Sequence, residues 1–564
     1  MFKNNDLLLA NYEITEPRLS KALVDNENPT VKFARIPSNA ELGKPETWGV
    51  YATRRFPYWS ICTAKNNHKK KSYIIYKHIS NTKKTCPECP AETSPKKAYD
   101  KAGREAIRFI TACENGHMND IDWKWQVCRN NSCNSQYLYM NGSGAIKNIK
   151  LNCPVCQSNR SLIEIYRTTE TCKGFNQENW GEQEECDKKS KVVHRGATYL
   201  RFPELSTSLK IEPNQKIDKF IEEDPQLRLY VELAQAQDSQ NPAEKFKEFV
   251  SLTPSITGLK KRRVSELDNY ELNLSIKRII EIQNRERTHE ILKYEEFETL
   301  QRAALNGVPP TSDPPNYIPN LEVRSSDVRT FEMPATGTTS NLKLRITPIR
   351  RLKAIIAQTS YRRMDPDKGK RISCGHKDEN AVTWYPAIEL LGEGLFIDLS
   401  PDTPSLSLVG EPSNNWKIAD DVDYPPPPME KKQIRPLFVW WHTLSHRLIN
   451  SLSLNSGYGS ASIRERVYLS RDGKEGGVLL YTTQTGGDGT HGGLVSQANR
   501  FDKIMDHAFH SIDGCSNDPV CGSSSPSSKI LNGAACFSCL LISETSCEFR
   551  NFGLDRNVLR ITYG

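Results

Sequence analysis

Apolar and polar positions change their period along this chain, and the changes divide it. Over residues 1–60 apolar residues come in short runs broken by turn formers, the pattern of small strands. From Pro225 to about Ala304 they recur at spacings of three and four. In "IKRIIEIQNRERTHEILKYEEFETLQRAA" this is the period of a helix face, set in a highly charged sequence. "NGVPPTSDPPNYIP" follows, and its prolines end the helix in an exposed connection. From residue 341 helical and strand patterns mix. "PLFVWWHTLSHRLINSLSL" is apolar on most faces and predicts a largely buried helix. "GGVLLYTTQ" predicts a strand. "LVSQANRFDKIMDHAFHSI" predicts a helix, with Leu494, Ala498, Phe501, Met505 and Ile512 at helical spacing. "DYPPPPMEKKQIRP" is a proline-rich loop. These elements predict an α+β multidomain protein. Residues 1–210 form a cysteine-rich domain, residues 211–340 a charged helical segment with a linker, and residues 341–564 a C-terminal α/β module.

Composition narrows the class. A chain of 564 residues can bury several cores, and 37% hydrophobic with 26% charged residues is the balance of a globular protein. No apolar run approaches the ~20 residues of a membrane span. "MFKNNDLLLANYEITEP" has an apolar patch too short for the core of a signal peptide. The expectation is a cytoplasmic protein with no membrane contact. Its 16 cysteines are too sparse for a disulfide scaffold, and reduced cysteines in clusters point to metal. A net charge of +8 is compatible with nucleic acid binding without requiring it.

The cysteines pair at metal-ligand spacing. A structural zinc takes four thiolate or imidazole ligands in a tetrahedron, and a C-x-x-C turn supplies two of them. Cys128 and Cys133 form a loose knuckle, and Cys153 and Cys156 form "CPVC" about nineteen residues further on. "QYLYM" and "AIKNIKLN" between them read as strands, so this is the layout of a zinc ribbon. Near the C-terminus, Cys515 and Cys521 stand about fourteen residues before Cys536 and Cys539, which suits a second four-cysteine site. Cys547 could replace one of these four or be a buried thiol. A third site would join Cys86 and Cys89 to Cys172 and Cys186, with Cys113 and His117 of "CENGH" as competitors. Cys62 and Cys374 have no partner by spacing. Two to three Zn2+ are therefore expected. Four thiolates also suit an iron–sulfur cluster. Closed sites of this kind leave no position for an activated water, so they point to folding and binding.

Other chemistry is thinner. "TGGDGTHGG" between a strand and a helix could hold a phosphate, but no Gly-Lys-Ser/Thr occurs, so it is read as a turn. His442 and His446 lie four apart on one helix, yet Thr443 stands where a metalloprotease needs Glu. Orientation of a packed helix is the better reading of this pair. Three basic clusters could meet phosphates: Lys69, Lys70 and Lys71; Lys260, Lys261, Arg262 and Arg263; and Arg350 to Arg371, including Arg351, Arg362 and Arg363. Tyr73, Tyr76 and Tyr361 accompany two of them, as single-strand binding uses. Most charge runs are simply solvated faces.

Several stretches together resemble one family. "ACENGHMNDIDW", "CPVCQSNRSL" and "RGATYLRFPELSTSLKI" resemble the N-terminal half of DrmB proteins. "WYPAIELLGEGLFIDL", "HTLSHRLINSLSLNSGYGSASIRERVY", "DGTHGGLV" and "GAACFSCLLISETSCEF" resemble the second half. DrmB is a component of the bacterial DISARM anti-phage system, and the last segments resemble the zinc-binding module shared with MrfA repair helicases. The likeness runs in order from about residue 105 to 560 and is weak before 105 and over about 215–330. It implies a non-catalytic partner of the DISARM helicase DrmA, in a complex that engages DNA. By position it carries metal ligation onto Cys515, Cys521, Cys536 and Cys539, and ribbon ligation onto Cys128, Cys133, Cys153 and Cys156. At "CKGFNQENW" the chain departs from the family's tryptophan-containing pattern, beside Cys172. The expected function is a zinc-stabilised antiviral defence subunit, a helicase partner and not an enzyme. The alternatives are a metal-dependent hydrolase using His442 and His446, and a pure protein scaffold without DNA contacts.

Overall fold

The computed structural model describes residues 9–45, 56–77, 86–89, 104–308, 320–332, 342–403, 436–484 and 492–563, apart from short intervals of which the longest are 212–216, 281–288 and 526–531. Most of the two proline-rich connections and of the glycine-rich "TGGDGTHGG" lies outside the described residues.

The centre of the molecule is one large sheet. Its spine is the strand Lys343–Arg362, paired antiparallel with Thr383–Leu399. Next come Gly476–Gln484 and Ile463–Leu469, also antiparallel. Burial along these strands is nearly continuous, which means that both faces are covered. Alternation then sorts the side chains. Leu395, Ile397, Val467, Val478 and Leu480 pack with the helix Pro436–Asn455. Phe396, Tyr468, Leu479 and Tyr481 pack with Phe297, Leu300 and Ala303 of the helix His289–Asn306 on the other side.

The helix Pro436–Asn455 is buried all round, as its sequence predicts. One side meets the sheet, and the other meets the helices Phe501–His510 and Arg556–Tyr563. At ~1.5–3 kcal/mol for each fully buried large apolar side chain, Phe438, Leu444, Leu448 and Leu452 make it the anchor of the module. The sheet needs close approach at Gly392. A Cβ there would stand 1.8 Å from the Thr482 carbonyl oxygen.

Two features differ from the division read from the sequence. Phe202–Leu209 pairs with Lys343–Arg362, and Val31–Ala34 runs parallel to Thr383–Leu399. Strands from before residue 210 therefore lie in the sheet of the C-terminal module. The charged helical segment also splits. Pro225–Gln237, Pro242–Leu252 and Gly258–Ser265 enclose a small core of their own around Leu227, Val231, Phe246 and Val250. The later helix His289–Asn306 belongs to the sheet. Its Glu296 pairs with Arg466 at 2.5 Å, and its Lys293 pairs with Glu548 at 2.7 Å. Periodicity shows that a helix has an apolar face but not what covers that face.

The cysteine-rich region builds two smaller antiparallel sheets. One runs Asn159–Ser161, Lys150–Asn152, Tyr137–Asn141, Tyr73–Lys77, Trp59–Cys62, Arg104–Ala106. The other runs Thr169–Thr171, Lys189–His194, Phe109–Ala112, Met118–Asn119. Among the described residues no helix is long and apolar enough to cross a membrane.

Candidate metal centres

Fifteen of the sixteen cysteines fall into five clusters, and strand ends and turns place them there. A Zn–S bond of about 2.3 Å sets the edge of a thiolate tetrahedron at roughly 3.8 Å, and a sulfur–nitrogen edge at roughly 3.6 Å.

The ribbon cluster is Cys128, Cys133, Cys153 and Cys156. Cys128 ends the helix Trp123–Cys128, whose Asp122 cap accepts from the Trp125 amide, and Arg129 leaves the helix in the left-handed region at φ 51°. Cys153 follows the strand Lys150–Asn152. The Cys133 and Cys153 sulfurs are 3.6 Å apart, and the Val155 amide donates to Cys153 Sγ at 3.4 Å. The C-terminal cluster joins Cys515, Cys521, Cys536 and Cys539, with sulfur separations of 3.3, 3.7 and 3.8 Å. Leu540 and Leu554 pack behind it, while Arg556, buried beside the site, pairs with Asp518. Both sets are those read from the sequence.

The third site is corrected. Cys86 and Cys89 do not meet Cys172 and Cys186. They lie with Cys62 and His68, and Cys172 and Cys186 lie with Cys113 and His117. Cys62 ends the strand Trp59–Cys62, so it is a cluster member and not an unpaired cysteine. Its sulfur is 3.7 Å from that of Cys89, and His68 Nε2 is 3.4 Å from the sulfurs of both Cys86 and Cys89. His68 Nδ1 bonds the Ser72 carbonyl at 2.6 Å, which turns Nε2 toward the cysteines. In the fourth cluster Cys113 and His117 close a tight turn through Gly116 at φ 85°. Lys189–His194 pairs with both Phe109–Ala112 and Thr169–Thr171, which carries Cys172 and Cys186 to that turn. His117 Nδ1 is 3.5 Å from the sulfurs of both Cys113 and Cys172, and those sulfurs are 3.6 Å apart. Glu184 holds the other ring nitrogen of His117, and that bond keeps its carboxyl below the usual range.

The donor separations given for the four clusters, 3.3–3.8 Å, lie at or somewhat inside the zinc edge lengths, and each cluster offers four donors of types zinc prefers. Zinc bound there would be enclosed by protein ligands and would brace these turns against the sheets. Cys374 stays outside every cluster.

The fifth group is His442, His446, Glu465 and Cys547, all buried. The two histidines project from Pro436–Asn455, Glu465 from the facing strand and Cys547 from the loop after the C-terminal knuckle. Burial pushes the His442 ring toward its neutral form. Burial alone would raise Glu465, but the two imidazoles outweigh it and hold the carboxyl well below its usual range.

The basic clusters fare differently. Arg363 is 3% exposed and spends its guanidinium on Glu178 and on the Leu200 and Gly116 carbonyls. Arg362 pairs with Glu204 at 2.8 Å and with the Gly369 carbonyl. Neither is presented to a phosphate, because both lie at the end of a buried strand where burial demands a partner. Lys260 pairs with Asp224 and Arg262 with Glu266, Lys261 bonds the Ser251 carbonyl, and Arg263 stacks over Phe220. Lys69, Lys70 and Lys71 are exposed on the turn that His68 begins, and no carboxylate among the described residues pairs with their ammonium groups.

Sequence reasoning missed Cys62, His68 and Glu465 as cluster members. "CTAKNNH" ahead of "CPEC" was the available signal for the first two. For Glu465 there was none, because only the packing of helix on strand brings it to the histidines.

Comparison with known proteins matches two regions of the chain. A domain of unknown function, DUF8724, matches residues 2–202, and the MrfA Zn-binding domain matches residues 444–540. The chain is 26% identical to the DISARM protein DrmB of Bacillus paralicheniformis over 575 aligned positions, covering 93% of this chain and 91% of that one. A crystal structure of the DUF1998 helicase MrfA bound to DNA aligns at 14% identity with a TM-score of 0.21, over 43% of this chain and 24% of that one. The resemblance to DrmB thus extends over nearly the whole chain, and the zinc-binding character of the C-terminal module is shared.

Proposed function

We propose that this DrmB-like chain is a zinc-braced, non-catalytic subunit of a DISARM-type anti-phage complex, which partners the helicase DrmA and contributes contacts to DNA. The observation that carries the reading is the likeness to the DISARM protein DrmB over 93% of the chain. The closed character of the cysteine clusters supports it, since four protein donors leave no coordination position for a reacting water. The division into a cysteine-rich region before residue 210, a helical segment to 340 and a zinc-binding module beyond is kept as part of this proposal, with strands from the first part lent to the last.

Lys69, Lys70 and Lys71 are the favoured DNA contact. They sit on an exposed turn pinned by His68, and Lys70 Nζ lies 5.1 Å from the centre of the buried Tyr139 ring. The test measures DNA binding by the full chain, with and without DrmA, across a salt series. Reversing all three lysines should weaken binding and reduce the slope of log K against log salt by roughly 2–3. Unchanged affinity and slope would remove the contact from the reading. No binding by the wild-type chain or its complex would remove DNA altogether.

The scaffold reading has one specific observation in its favour: each cation of Lys260–Arg263 is engaged within the protein. It predicts that charge reversal there leaves DNA binding by the complex unchanged. The hydrolase reading finds its carboxylate in Glu465, but a sealed group of four donors gives a substrate no approach.

A further inference from the structure

We propose that His442, His446, Glu465 and Cys547 form a fifth zinc site, a buried structural site of two imidazoles, one carboxylate and one thiolate, separate from the four cysteine-rich clusters. It lies partly beyond the matched MrfA Zn-binding domain, because His442 precedes that match and Cys547 follows it.

The donors converge. His442 Nε2 is 2.8 Å from Glu465 Oε1, 3.1 Å from His446 Nε2 and 3.2 Å from Cys547 Sγ. His446 Nε2 is 3.3 Å from the same carboxylate oxygen. Zinc bonds of about 2.0–2.1 Å to nitrogen or oxygen give edges of roughly 3.3 Å, and an edge to sulfur is roughly 3.6 Å. The four atoms are therefore arranged as one coordination shell, slightly contracted. Two imidazole nitrogens that face each other beside a carboxylate oxygen need a cation or a shared proton between them.

The surroundings are built for ligation. His446 Nδ1 is 2.9 Å from the Leu540 carbonyl oxygen. That nitrogen must donate, so in the neutral ring the lone pair is on Nε2 and points into the group. The Ser445 hydroxyl donates to the second oxygen of Glu465 and leaves Oε1 for the centre. Cys547 Sγ accepts from the Phe549 amide at 3.3 Å and the Asn551 amide at 3.1 Å. An amide two residues after the cysteine donates in the same way at Cys153, Cys172 and Cys515, each in a cysteine-rich cluster. Cys547 thus sits in the same kind of knuckle.

Charge and place agree. Zn2+ with one carboxylate, one thiolate and two neutral imidazoles is neutral, which suits a site walled by Phe438 and Phe549. The thiol proton is released when the metal binds. The four ligands come from the long helix, the sheet and the C-terminal loop, so the ion would clamp three layers together. With four protein donors and no path to solvent the role is structural.

The test locates zinc in crystals of the full chain by anomalous scattering at the zinc edge. A peak between His442 Nε2 and Cys547 Sγ is expected. Peaks at the four cysteine-rich clusters with none at this point would overturn the proposal and leave the other zinc assignments intact. In solution, Cys547→Ala and Glu465→Gln should each lower the zinc content by about one per chain. An unchanged content in the folded variants would also overturn it. If the variants do not fold, the map of the wild-type chain decides.

Discussion

His117 separates the zinc arrangement seen in the structure from the one that spacing alone suggests. If Cys86 and Cys89 shared an ion with Cys172 and Cys186, then His117→Ala would leave the metal content unchanged. In the structure His117 Nδ1 faces Cys113 and Cys172 at 3.5 Å each, so the variant should lose about one zinc per chain. A graded version comes from Glu184, which orients the ring from outside the coordination shell. Loss of such a partner typically weakens metal affinity by 10–100-fold. Because the ion binds the folded chain only, Glu184→Gln at a fixed free zinc well above both dissociation constants should reduce stability by about 1.4–2.7 kcal/mol. For a domain of 150–250 residues that is roughly 3–10 °C in Tm. Zinc release to a competing chelator gives the first quantity, and thermal unfolding at fixed free zinc gives the second. Full zinc content in His117→Ala, with wild-type melting, would refute the assignment. Cys62→Ala makes the same test of the partner cluster.

Other outcomes follow from named contacts. Arg466→Met should cost about 3–5 kcal/mol in denaturant unfolding, because it leaves the fully buried Glu296 without its cation; a cost under about 1 kcal/mol would mean the pair does not hold the helix to the sheet. Gly392→Ala should destabilise by at least ~1–3 kcal/mol through forced separation of the two strands, read from the urea midpoint. Burial raises Glu204, but the Ser360 hydroxyl and the Arg362 and Arg371 guanidinia outweigh it and hold the carboxyl below its ordinary 4.5. The stability it contributes is present above pH 4.5 and is lost as pH falls through its lower folded value. Glu204→Gln should therefore narrow its deficit from wild type on acidification, and a constant deficit between pH 7 and the acid limb would contradict this.

What the sequence made legible followed from local chemistry. The ribbon and C-terminal cysteines announce themselves because two knuckles at short separation can only fold back on each other. The helix Pro436–Asn455 was legible because apolar residues on all its faces need cover on all sides. The strand Gly476–Gln484 matched its segment because a short continuous apolar run, Val478 to Tyr481, follows a pair of glycines. The remaining ligands were hidden because distant strands assemble them. Cys62 reads as solitary until Tyr73–Lys77 pairs beside its strand, and His68 is lost in a run of lysines. Cys172 and Cys186 were misassigned because the partner of a hairpin end depends on sheet order, which spacing does not encode. Arg362 and Arg363 read as surface charge, yet Arg363 is buried and Arg362 half-buried at the end of a strand, each held by an acidic partner far away in sequence.

The account rests most heavily on zinc as the brace of these turns, and native mass spectrometry of the full chain measures metal identity and number in one spectrum. The account predicts a mass excess of four zinc ions from the cysteine-rich clusters, and a fifth from the buried histidine pair. A metal-free mass, or iron and sulfide in place of zinc, would contradict it.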